Sequence, residues 1–155
     1  MAVVWTSDLE TGIEAIDQQH RKIVDCINQL EAAIEQKDSA SVGRVLDSVE
    51  EYCRSHFPFE EDLQVRVGYK HAKSHKAVHD VFVKRVGKYR DRHIAGEDVA
   101  RQFHDMLSTW LVLHIKREDK GFVPDVKRSI GGMVKGDAGE DWLSRSVAGF
   151  FGKGR

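Results

Sequence analysis

No window of this sequence approaches the ~20 consecutive apolar residues that a membrane span requires, which excludes a helical membrane protein. The opening residues, MAVVWTSDLETG, carry neither a basic region nor an apolar run of signal-peptide length, so a soluble cytoplasmic protein is expected. A surplus of charge of one sign is missing too. With 24 Lys plus Arg against 25 Asp plus Glu there is no long-range field to mark a nucleic-acid binder. Cysteine is scarce: Cys26 and Cys53 form no CxxC pair and sit singly among apolar residues, so buried thiols are expected rather than a thiolate metal or redox site. Histidine, by contrast, is abundant, with eight in 155 residues. A chain of this length is one domain's worth and can bury roughly 70% of the surface its unfolded form would expose.

The apolar pattern is helical throughout. Ile16, His20, Ile23, Ile27, Leu30 and Ile34 recur in steps of four and three, the seam of an amphipathic helix over about 17–36. Ser39 is a candidate cap for a second helix, whose seam runs through Val42, Val45, Val49, Tyr52, His56, Glu60 and Leu63 and ends near Gly68. Pro58 falls inside it, where proline costs roughly 3 kcal/mol, so the helix is expected to continue with a kink. A third stripe, His75, His79, Phe82, Val86 and Tyr89, covers about 70–92, and the glycine of HIAGED supplies a connection. The fourth, Val99, Phe103, Leu107, Trp110 and His114, covers about 97–118, with Gly121 and Pro124 as stop signals. Four amphipathic helices with short loops and no intervening strand pattern predict an all-α, up-down-up-down antiparallel four-helix bundle. Residues 1–122 are assigned to it. Residues 123–155 form a C-terminal extension: a glycine-rich linker and then a short amphipathic helical stretch carrying Trp142, Leu143, Val147, Phe150 and Phe151. That stripe is expected to dock onto the bundle.

His20, His56, Glu60, His75, His79 and His114 all occupy seam positions that should be apolar. One core histidine is ordinarily a satisfied hydrogen-bonder. Six polar groups on four helices would cost several kcal/mol if unpartnered, whereas a metal centre gives each a bond. His75 and His79 are four apart and stack on one face, and His56 and Glu60 make the same step. His71 extends that ladder, but it lies about 12 Å along the axis from His79, too far to share an ion, and is read as a surface residue. His93 and His104 fall off the seams and are read as exposed. His114 and Asp119 in HIKRED are five apart, about 140° around an ideal helix. For both to serve one centre, either the turn loosens into a π-type turn or the carboxylate reaches across. Imidazoles and carboxylates without cysteine exclude iron–sulfur and thiolate zinc sites, and these are too many ligands for one ion, so two ions bridged by carboxylates are expected. The Glu-x-x-His of ferritin-like di-iron bundles is absent from the sequence.

In the order DQQH, HFPFEE, HKAVH and HIKRED, over residues 5 to about 122, the chain resembles the hemerythrins, most closely their single-domain bacterial members. The resemblance implies that His75, His79 and His114 hold one iron and His20 and His56 the other. Glu60, Asp119 and a solvent-derived oxygen would bridge them, with dioxygen entering the vacant position. It also implies an apolar oxygen pocket lined by Phe57, Trp110, Leu111 and Ile115. The expected function is reversible dioxygen binding for storage, delivery or sensing, without catalysis. The rival is a di-iron redox enzyme or a nitric oxide or peroxide scavenger using the same residues. Dioxygen is the expected partner, with an oxygen-consuming or regulatory protein as a second.

Overall fold

The computed structural model describes residues 3–132. After a 3-10 turn at Ser7–Leu9, the chain forms α1 (Glu14–Glu35), α2 (Ser39–Arg66), α3 (Ala72–Ile94) and α4 (Ala100–Leu113). A π-helical turn, His114–Asp119, then leads without a break into α5 (Lys120–Gly132). The expected bundle is what the chain forms, and the described residues contain no strand. No helix among them is long and apolar enough to cross a membrane.

The helix entries are set by short polar devices. Asp17, in the first turn of α1, is buried and accepts from the Thr11 amide at 2.8 Å, the Thr11 hydroxyl at 2.7 Å and the Gly12 amide at 3.2 Å. Those bonds tie the incoming chain to the helix start, where a carboxylate also complements the helix dipole. Asp38, not Ser39, caps α2, its carboxylate accepting from the Ser41 amide at 3.1 Å. The aspartate precedes the helix with extended backbone, the geometry a cap needs, while Ser39 is already helical. Gly96, at φ +93°, closes α3 in a left-handed conformation with its amide on the His93 carbonyl.

Pro58 sits inside a continuous α2. The lost hydrogen bond is offset by the burial of Phe57, Phe59 and Leu63, each worth about 1.5–3 kcal/mol. Gly121 and Pro124 do not stop the fourth helix. Phe122, Val123 and Val126 of α5 bury against Ile13, Ile16, Phe59 and Leu63, and that packing outweighs the local breaker signals. Gly121 instead allows a close approach, since a Cβ there would lie 2.8 Å from the Tyr69 hydroxyl. The larger core, from Leu30, Val42 and Leu46 to Phe103, Leu107 and Leu111, fills the end of the bundle away from α5. Cys53 is buried as expected, but Cys26 only partly. Burial pushes their thiols up to about 12 and about 11.

α1 packs against α2 and α4, and α2 against α3, whereas α3 and α4 are the neighbours that approach least closely. Aromatic side chains bridge that wider side: Phe82 of α3 stacks on Trp110 of α4 with ring centroids 3.7 Å apart. Trp142, Leu143, Val147, Phe150 and Phe151 lie outside the described residues.

Candidate metal centre

Each helix delivers its polar seam residues to one place. His20 comes from α1, His56 and Glu60 from α2, His75 and His79 from α3, and His114 and Asp119 from the π turn, and none is more than 4% exposed. Bonding i to i+5 winds one extra residue into the turn, so His114 and Asp119 point the same way: Nε2 and Oδ1 are 3.0 Å apart. Of the two expected solutions, the loosened turn is the one the chain uses.

The residues form two groups. Glu60, His75, His79, His114 and Asp119 each offer a ligand atom within 4.8 Å of the others, and so do His20, His56, Glu60 and Asp119. The two carboxylates belong to both. Glu60 Oε1 lies 2.5 Å from His75 Nε2 and 3.3 Å from His79 Nε2, while its Oε2 lies 2.9 Å from His56 Nε2. Asp119 divides in the same way, with Oδ1 3.2 Å from His75 Nε2 and Oδ2 2.7 Å from His20 Nε2.

The donor set fits a cation pair better than it fits itself. His20 Nε2, His56 Nε2, Glu60 Oε2 and both Asp119 oxygens are buried and lack a hydrogen bond of proper angle, although they lie close to one another. The atoms aim at shared space between them instead of at a partner. An unpaired buried polar group costs about 1–3 kcal/mol, so several together need a further occupant. His79 and His114 turn Nε2 toward Nε2 at 3.1 Å, an arrangement in which at most one can donate.

Without a cation, protonation does the balancing. Burial and the nearby Glu60 push Asp119 up, but His114 and His20 outweigh them and hold it well below the usual carboxylate range. Burial would likewise raise Glu60, and His56, His114 and His75 bring it well below its ordinary value. Burial opposes charge on His75 and His114, yet the two carboxylates raise them to about 9 and about 10. His56 goes the other way, because burial outweighs its contact with Glu60.

The family described as Hemerythrin HHE cation binding domain matches residues 11–126. The chain belongs to the hemerythrin family. Bacteriohemerythrins from Pseudomonas aeruginosa and Stenotrophomonas maltophilia are each 43% identical to it over 150 residues, covering 97% of this chain and 98% of theirs. The bacteriohemerythrin of Methylococcus capsulatus is 31% identical over 124 residues, covering 79% of this chain and 95% of its own. A solved wild-type hemerythrin superposes with a TM-score of 0.75 at 29% identity, over 80% of this chain and 97% of that one.

Around the candidate ligand cluster lie residues that the seam pattern did not single out. Gln19 Oε1 meets His56 Nδ1, Glu61 Oε1 lies 3.4 Å from His79 Nδ1, and Glu118 Oε2 lies 3.8 Å from His75 Nδ1. Gln19 and Glu61, within hydrogen-bond reach, fix ring orientation and leave Nε2 toward the cluster, whereas Glu118 gives His75 only a longer charge contact. Each is the immediate sequence neighbour of a candidate ligand, a signal readable once those residues are known. Aromatic rings pack on the imidazoles: Phe57 on His79 at 3.8 Å, Trp110 on His114 at 4.3 Å and Tyr52 on His56 at 4.8 Å. Leu111 and Ile115 are buried with Phe57, whereas Trp110 is half-buried and also faces an outer groove.

His71 is exposed at the start of α3, as expected. His104 is not. It is 4% exposed, with Nε2 2.9 Å from Glu31 Oε2 on α1. One position past Phe103, it lies on the flank of α4 that α1 covers, and the seam reading was too narrow to include that flank. His93 is half-buried and rests on Gly43, where a Cβ would meet Nε2 at 3.0 Å.

Proposed function

We propose that this hemerythrin-family chain binds dioxygen reversibly at a non-haem di-iron centre, for storage, delivery or sensing. The observation that carries the reading is the division of each carboxylate, one oxygen of Glu60 and of Asp119 facing each histidine group. His75, His79 and His114 would hold one iron and His20 and His56 the other, with Glu60 and Asp119 shared along with a solvent-derived oxygen. The group of His20 and His56 offers one imidazole fewer than the group of His75, His79 and His114, so a metal held there would have room for an exogenous molecule. When bound, such an iron pair supplies the two electrons that reversible dioxygen binding needs.

The protein's own residues hold and shield. Phe57, Leu111 and Ile115 are buried beside the centre and, with the inner face of Trp110, would form an apolar pocket for the oxygen molecule. These pocket side chains carry no acid or base, which supports binding over turnover by a di-iron oxidase or scavenger. An oxygen-consuming protein is the natural recipient in a cytoplasmic setting.

The test is an iron count with optical spectra. Two irons per chain and a visible charge-transfer absorption that disappears reversibly on removal of oxygen are expected. A single zinc per chain, or a colour indifferent to oxygen, would overturn the reading.

A further inference from the structure

A groove runs along the wider side of the bundle. Where α3 and α4 diverge, two adjoining hollows of about 460 and 340 Å³ share Val78, Arg85 and Trp110 in their walls. Val81 and Leu113 stand 59% and 43% exposed along it. Hollows of this size, mostly apolar with a few polar groups, are where small molecules bind. Past Arg85 the groove opens into a notch walled by Lys88, Tyr89 and Arg92 of α3.

We propose that the groove binds a free medium-chain fatty acid, its alkyl chain along the apolar walls and its carboxylate at Arg85 and Lys88. The walls decide the kind of apolar body. Phe82 stacks on the Trp110 ring with centroids 3.7 Å and planes 17° apart, and His114 does so at 4.3 Å and 13°. Two nearly parallel rings this close to one centroid would overlap on the same face, so they take opposite faces. Only the edge of the indole meets the groove, and Phe82 itself is buried, which leaves no ring face for a flat aromatic molecule to stack on. The other apolar walls, Ala77, Val78, Val81, Met106 and Leu113, carry no rings. An alkyl chain fits such a surface, and a free acid joins that chain to a single anionic head.

The charges place the head. Arg85 belongs to both hollows and to the notch, and neither it nor Lys88 has a hydrogen bond or ion pair among the described residues. Arg92, by contrast, is held by Glu97 at 2.7 Å and Gln102 at 3.2 Å. Asp105 is the carboxylate lining this end, and its Oδ1 lies 3.3 Å from His104 Nδ1. Two unpaired cations against one acid leave a positive surplus there. At the other end Arg117 and Glu118 offset each other. From Arg85 back to Ala77 is about 12 Å along α3, the run open to the alkyl chain. A second copy presenting this same face has no acidic surplus to match the cations. A bilayer offers its chains beneath its heads, whereas the groove takes chain and head side by side along one helix.

Calorimetric titration of the full-length, metal-loaded protein with decanoate tests the proposal, with decyltrimethylammonium as the same chain under a cationic head. Decanoate should bind saturably, at about one molecule per chain, and about tenfold or more tightly than the cation. Arg85→Glu and Lys88→Glu, both at exposed positions, should each weaken decanoate by about tenfold or more. Lys73→Glu, at an exposed site near the start of α3 and with the same change in net charge, should leave its affinity unchanged. Decanoate uptake that does not saturate, a cation bound equally well, or equal losses in all three variants would overturn the proposal. So would self-association of the ligand-free chain, or attachment to phosphatidylglycerol vesicles, that Arg85→Glu abolishes, since the groove would then belong to a second copy or to a lipid surface.

Discussion

His114 Nε2 and Asp119 Oδ1 lie 3.0 Å apart although five residues separate them, a step that would turn through about 140° on a regular α-helix. The π turn that makes this possible also sets the direction of α5, so one local irregularity fixes both a shared carboxylate and the packing of Phe122, Val123 and Val126. Irregular helical turns of this kind are costly enough to persist only where the surroundings demand them.

Because Asp119 and Glu60 each face both histidine groups, their loss should differ in kind from the loss of one histidine. Asp119→Ala and Glu60→Ala are expected to lower metal content below one ion per chain and to lower the melting temperature. His79→Ala, which touches a single group, should retain about one ion. Elemental analysis beside thermal unfolding checks this. Equal losses in all three variants would mean the carboxylates are not shared.

Gln19 gives a test of the supporting layer. Its side-chain oxygen meets His56 Nδ1 and so fixes the tautomer that leaves Nε2 toward the centre. Gln19→Leu should weaken the metal held by His20 and His56 by about 10- to 100-fold, the usual effect of removing a ligand's outer partner. Gln19→Glu should restore most of it. Chelator competition reads the affinity, and a Gln19→Leu chain that holds its metal as firmly as wild type would remove Gln19 from this role.

Metal uptake should be coupled to proton release. His75 and His114 are held as imidazolium up to about 9 and about 10 in the cation-free protein, and an imidazolium cannot ligate. Loading near neutral pH should therefore expel about two protons per chain. Apparent affinity should rise with pH below these values, since deprotonation is then progressively less uphill, and should flatten above them. Calorimetric titrations in buffers of different ionisation enthalpy count the protons. An affinity that does not change between about pH 6 and pH 9 would contradict the assignment.

Six of the seven candidate ligands were legible because a polar residue at an apolar seam position breaks a strong period, and six such breaks on four helices coincide only at a common point. Asp119 was only a weak signal from spacing, since five residues from His114 is a mismatch on a regular helix unless the turn loosens, and the resemblance gave it a bridging role. The run of α5 past Gly121 and Pro124 was hidden for a different reason. Breaker signals are local, whereas the burial of Phe122 against Ile13 and Phe59 involves residues 109 and 63 positions away in sequence. Asp38 was passed over for Ser39 because capping depends on backbone conformation as well as residue type. Gln19 and Glu61 look like ordinary surface residues, and only the orientation of the neighbouring rings gives them a task.

His104 separates a structural histidine from the candidate ligands. It is buried and faces Glu31 across the α1–α4 contact, with Arg101 3.1 Å from the same carboxylate. It also lies ten residues before His114, about 15 Å along the helix and beyond the reach of any ion held there. Replacing it with alanine should leave a cavity near the fully buried Phe103 and cost on the order of 2 kcal/mol in unfolding free energy. Metal content should not change, because neither histidine group includes it. His71→Ala, at an exposed position, should alter neither quantity. Measuring unfolding and metal content together on both variants separates the cases. Metal loss from His104→Ala in protein that remains folded would show that a buried histidine outside the two groups serves the centre after all.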